Sequence, residues 1–164
     1  KLESTLNISA KSYRSTGTMT NTGPVPPRVD KESTYTITWT VTNTTNDLKD
    51  AVASATLPAG VEWKGVVYPN AEKIMYNPDT RQVSWNIGSI SSGVGFTNSP
   101  KEVSFKVGIT PSITQVGQVL GLLSQTSIDA TDTYTSTKLT KTTDAVNTHY
   151  SDPNFKFGDE VVAK

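Results

Sequence analysis

The sequence predicts an all-β fold, an antiparallel β-sandwich of about eight to ten strands. Three observations lead there. Ser33 to Asn43 alternates strictly, with Tyr35, Ile37, Trp39 and Val41 on one side and threonines on the other. A period of two buries one face of a strand and wets the opposite one. Glu102 to Thr110 repeats the pattern with Val103, Phe105, Val107 and Ile109, until Pro111, which has no amide hydrogen to donate, ends the ladder. Finally, no segment carries a capped helical stripe, whereas turn-forming clusters recur along the whole chain. The two alternating rows are expected to face each other across a shared apolar interior.

The remaining elements follow in chain order. Leu6, Ile8 and Ala10 alternate and give a first strand. Residues 13–30 hold Gly17, Gly23, Pro24, Pro26 and Pro27, so they form a long Pro/Gly-rich surface loop of polyproline character. Leu48 to Leu57 reads as a strand whose last residue, Leu57, plugs the core before Pro58-Ala59-Gly60 turns the chain. Val61 to Tyr68 follows and carries Trp63. Lys73 to Tyr76 and Gln82 to Ile87 flank Asn77-Pro78-Asp79-Thr80-Arg81, a hairpin loop. Ser91 to Gly95 is a flexible connection, and Val119 to Asp129 and Thr133 to Leu139 supply the last strands. Trp39 and Trp85 belong in the core; Trp63 either joins them or stacks on a sugar. Residues 1–141 are thus expected as one sandwich. Residues 142–164 are expected as a linker or inter-module strand, in which Phe155, Phe157, Val161 and Val162 could be exchanged with a neighbour.

Composition excludes several functions. The chain has 164 residues, with fifteen Lys+Arg balancing fifteen Asp+Glu. Nucleic-acid binders carry a basic excess that neutralises phosphates, so that class is set aside. Cysteine is absent, which removes disulfides, thiolate metal sites and cysteine nucleophiles. No run of about 18 apolar residues occurs, so no membrane-spanning helix is expected. The chain opens at Lys1 in a strand-like segment without an initiator Met or signal peptide, and reads as a piece of something longer.

Four stretches in order carry a family resemblance: Tyr35 to Asn43, Ala55 to Trp63, Val83 to Gly88 and Lys101 to Val107. Leu57-Pro58-Ala59-Gly60 forms an LPxG turn, and Trp85, Ile87, Gly88, Ile90 and Gly93 form a W-x-IG-x-I/L-x-x-G hairpin. Together with Ser127 to Thr133, they resemble the surface-protein repeat of unknown function found in bacteria and archaea, including large surface proteins of ultrasmall uncultivated bacteria. The resemblance spans roughly residues 30–138. It implies an immunoglobulin-like sandwich, tandem repetition, an extracellular cell-surface location and no catalytic residues.

Enzyme chemistry finds little to work with. The one histidine, His149, lies in a polar segment, and no nucleophile elbow, zinc helix or phosphate loop occurs. No cofactor is required. Calcium is the cation the sequence could take, with Asp129 and Asp132 as candidate ligands at a strand junction and Asp144, Asp152, Asp159 and Glu160 following near the carboxyl end. A disulfide-free module could also be braced by an isopeptide bond, for which Lys11 and Asn147 are candidates, provided both are buried beside an acid. The leading function is a structural spacer whose partners are neighbouring repeats. The rivals are an adhesive module gripping a glycan or protein, and a filament subunit assembling by strand exchange.

Overall fold

The computed structural model describes residues 2–164. Eleven strands form two packed antiparallel sheets and one short ribbon. The first sheet has the order β1 (Leu6–Tyr13), β2 (Ser33–Asn43), β7 (Lys101–Ile109), β4 (Val61–Tyr68). The second has the order β10 (Lys138–Thr143), β9 (Thr126–Asp132), β3 (Leu48–Thr56), β6 (Gln82–Ile90), β5 (Lys73–Asn77). The ribbon pairs β8 (Gly121–Leu123) with β11 (Val146–Asn147). This is the immunoglobulin arrangement: β1-β2-β7-β4 stands where strands A, B, E and D do, and β10-β9-β3 where G, F and C do. The β5–β6 hairpin, inserted between β4 and β7, widens the second sheet.

The rows at Tyr35–Val41 and Val103–Ile109 do not face each other. β2 and β7 are neighbours in one sheet, with Tyr35 opposite Val107 and Trp39 opposite Val103. Both rows point at the second sheet, and all eight side chains are buried, as are Leu57 and Trp85. Alternation reveals that a face is covered but not what covers it, so a side-by-side pair and a face-to-face pair read alike. What faces them is β3, β6 and β9. Ala51, Ala53 and Ala55 on central β3 are small, which leaves room for Trp39 and Trp85 to stack between the sheets at 6.2 Å. Each indole N–H finds an acceptor, Trp39 on Thr126 Oγ1 and Trp85 on Glu72 Oε1, both at 3.0 Å. Glu72 in turn meets Lys101 at 3.1 Å.

Two expected strands are redrawn. Val119 to Asp129 is split into β8 and β9, and residues 133–137 are a turn that precedes β10. The carboxylate of Asp132 captures the amides of Tyr134 and Thr135, which bends the chain back before it can extend. Residues 142–164 are not a free linker. They finish β10, form β11 and then pack over one end of the sandwich, burying Val146, Thr148, Tyr150, Asp152 and Val162.

Candidate functional site

Because the strands run lengthwise, most loops lie at one of two poles, the exception being residues 69–72, which cross the flank at mid-strand height. Leu2–Thr5 and residues 44–47, 91–100 and 133–137 gather at the first; residues 14–32, 57–60, 78–81, 110–120 and 144–164 gather at the second. Each pole is organised around one buried aspartate.

At the first pole Asp132 accepts four hydrogen bonds: from the Ser4 amide at 2.8 Å, Asn46 Nδ2 at 2.9 Å, and the Tyr134 and Thr135 amides at 2.9 and 3.2 Å. Burial alone would raise its pKa. The donors, Asn46 foremost, outweigh it and hold the carboxyl down to about 2. Asn46 also donates to the Leu2 carbonyl, and buried Asn43 donates to the carbonyls of Asn46 and Ser91. The Ser4 hydroxyl donates to Asn43 Oδ1 and closes the network. The whole cluster stitches the amino-terminal segment to three loops.

At the second pole Asp152 receives the Arg14 and Ser15 amides and the hydroxyls of Ser15 and Thr16, the last two at 2.7 and 2.8 Å. Here too burial opposes and the donors prevail, so its carboxyl lies below the usual range. Arg14 itself donates to the carbonyls of Thr22, Thr34 and Gly23 and lies over the Tyr35 ring, 5.6 Å from its centre. Burial pushes the Tyr35 hydroxyl up to about 12. Tyr150 donates to Asp159 at 2.6 Å. An open cleft of about 540 Å³ lies beneath this loop, lined by Arg14, Thr18, Asn21, Tyr150 and Asn154 among others. Its Arg14 and Asn21 are already committed to backbone and hydroxyl partners, so they position the loop.

The other sequence candidates are placed as follows. Asp129 and Asp132 are three residues apart on β9 and therefore point to opposite faces: Asp129 outward to the Thr140 hydroxyl at 2.6 Å, Asp132 inward. They share no cation site, and among the described residues no three carboxylate or imidazole side chains converge on one. Lys11 and Asn147 are both exposed. They lie near each other, since the Ser12 hydroxyl donates to the Asn147 carbonyl at 3.0 Å, but neither has the burial that isopeptide chemistry demands. His149 is exposed and rests on Phe155, ring centres 4.0 Å apart. Phe155 is half-buried, Phe157 is fully in solvent, and Val161 and Val162 are bridged into the domain's own backbone. Trp63 stacks on Tyr76 and leans on Phe105, closing the β4–β5 side of the sandwich, so its ring is not laid out as a sugar platform.

Sequence reasoning placed Asp152 only among possible calcium carboxylates, missed its role in capping amides, and did not single out Asn46. Val146, Thr148, Tyr150 and Asp152 are buried at alternate positions, but two of these four side chains are polar, so the sequence shows no apolar row there.

No protein-family model matches the chain, and no curated protein matches it in sequence. Among solved structures, BcpA, the major pilin subunit of Bacillus cereus, matches 87% of this chain and 40% of its own, with 12% identity and a TM-score of 0.50. The full-length major pilin SpaD of Corynebacterium diphtheriae matches 87% of this chain and 34% of its own, with 13% identity and a TM-score of 0.47, too loose a superposition to compare in detail. The chain spans less than half the length of these neighbours, and the likeness is one of fold.

Proposed function

We propose that this chain is a structural module of a bacterial surface protein, a rigid bead that sets the distance between whatever it is joined to at either end. One observation carries the reading: Leu2 is fastened at the first pole and Lys164 lies at the second, beside Arg28. The eleven residues of β2 that separate the poles span about 35 Å at the usual rise of an antiparallel strand. Modules whose ends lie at opposite poles add their lengths when joined, whereas modules with adjacent ends fold back. Two further features support the role. The buried aspartates at both poles are engaged by the domain itself, and the fold holds without a disulfide in a chain that has no cysteine. The fold neighbour from Bacillus cereus is itself a major pilin subunit, so this architecture serves as a surface building block elsewhere.

The partners in this reading are neighbouring modules of the same surface protein, outside the cell. An array held by exchanging residues 155–162 is disfavoured, because Val162 is buried and its backbone is bonded to Gln118 and Gly117. Small-angle scattering on two copies joined end to end tests the proposal. A maximum dimension close to twice that of one copy is expected. A compact pair, or saturable binding of the single module to an arrayed glycan or protein, would overturn it.

A further inference from the structure

The first and last segments of the chain are fastened directly to each other. β1 is paired with β2 over eight consecutive residues, from Leu6 opposite Asn43 to Tyr13 opposite Thr36. Its far end then meets the carboxyl-terminal segment three times. The Ser12 hydroxyl donates to the Asn147 carbonyl at 3.0 Å, the Ser151 amide donates to the Ser12 carbonyl at 2.8 Å, and Asp152 gathers donors from Arg14, Ser15 and Thr16. Beyond Asp152 the segment is held again. The Ala163 amide donates to the Pro27 carbonyl at 2.8 Å, the Val29 amide donates to the Ala163 carbonyl at 3.1 Å, and Val162 exchanges bonds with Gln118 and Gly117.

We propose that the Asp152 knot is a force-bearing latch, which passes tension applied at the two ends of the chain from the first segment to the last without routing it through the sandwich core. The inference rests on the spacer reading, since only a module joined at both ends is pulled. A pull at Leu2 draws β1 along its own axis. The ladder bonds to β2 lie across that axis, so they are loaded together in shear and none is peeled alone. A pull at Lys164 loads the bridges at 161–163 and then the stretch back to Asp152. The shortest path between the ends therefore crosses at residues 14–16 and 152, where a carboxylate holds charge-assisted hydrogen bonds, stronger than neutral ones. The stacked tryptophans and the second sheet lie off that path.

Single-molecule pulling on the full chain tests this, and the absence of native cysteine lets handles be placed at introduced cysteines. With handles at residues 2 and 164, Asp152→Asn should raise the unfolding rate under load about tenfold or more, since forced unfolding follows the barrier and charged hydrogen bonds are lost at it. With handles at residue 2 and at Asp79, on the β5–β6 hairpin of the same pole, the carboxyl-terminal segment is off the path and the same substitution should leave the rate unchanged. Ile74→Ala on β5 serves as a reference that destabilises the fold away from the latch. It should affect the end-to-end rate less than Asp152→Asn does. If Asp152→Asn folds poorly, Thr16→Val removes one latch bond and should give a smaller change with the same directional dependence. Equal effects on both axes, or no effect on either, would overturn the latch. A compact tandem in scattering would instead overturn the spacer reading and leave the pulling result intact.

Discussion

The two poles solve the same problem with a buried aspartate, yet they join different things. Asp132 takes its donors from three separate stretches of chain: Ser4, Asn46 and its own following turn. Asp152 takes all of its donors from Arg14, Ser15 and Thr16. Removing the first would leave buried groups of several loops unsatisfied at once, whereas removing the second would release one seam. A hub sets the shape of a pole and a clasp sets how the ends hold. The difference teaches that burial and hydrogen-bond number alone do not define a carboxylate's role; the sequence spread of its donors does.

The strongest way to break this contrast is to remove the clasp together with its segment. Deleting residues 151–164 takes away buried Val162, the Asp152 bonds and half-buried Phe155, whose ring packs edge-on against Tyr150. A loss of about 5 kcal/mol or more is expected from urea unfolding. An unchanged midpoint would mean that the segment is an ornament and not part of the domain.

Single substitutions sharpen the contrast. Asp132→Ala should lower the melting temperature by roughly 10 °C and loosen Leu2–Thr5, seen as faster amide exchange there. Asp152→Ala should cost about 2–3 kcal/mol and leave exchange at Ser4 unaltered. The reverse order would undo the distinction between hub and clasp. Acid should act on both. Each carboxyl has a folded-state pKa below its ordinary 3.8, so its contribution is complete above that value and is lost as the pH falls, for Asp132 down to about 2. Urea midpoints measured at pH 5 and pH 2.5 should therefore drop in the native chain, and drop less in Asp132→Asn.

The core was legible in the sequence and the poles were not, for a physical reason. Tyr35, Ile37, Trp39 and Val41 announce a buried face because apolar side chains at a period of two have one sensible place to go. That period is silent about partners, so β2 and β7 could be recognised as strands while their adjacency in one sheet was misjudged. Asp132 was visible as a polar residue at a strand end and suggested a cation site, since sequence cannot distinguish a carboxylate that binds metal from one that caps amides. Residues 142–164 looked like a linker because their composition is polar. Their burial depends on hydrogen bonds to residues 12–16 and 27–29, far away in sequence, which no local pattern encodes.

The smallest expected effect separates a hydrogen-bonded clasp from a covalent one. Lys11 and Asn147 sit beside the seam that Ser12 and Asp152 close, and both side chains face solvent. Isopeptide chemistry needs both side chains buried beside an acid, and both are exposed, so nothing drives the lysine to displace ammonia from the amide. Lys11→Ala and Asn147→Ala should each shift stability by no more than about 0.5 kcal/mol, as exposed substitutions do. The intact mass of the native chain should equal the sum of its residues, without the deficit of one ammonia. A missing ammonia that returns in Lys11→Ala would place a covalent bond across the seam, and Asp152 would then be its support and not the element that bears the load.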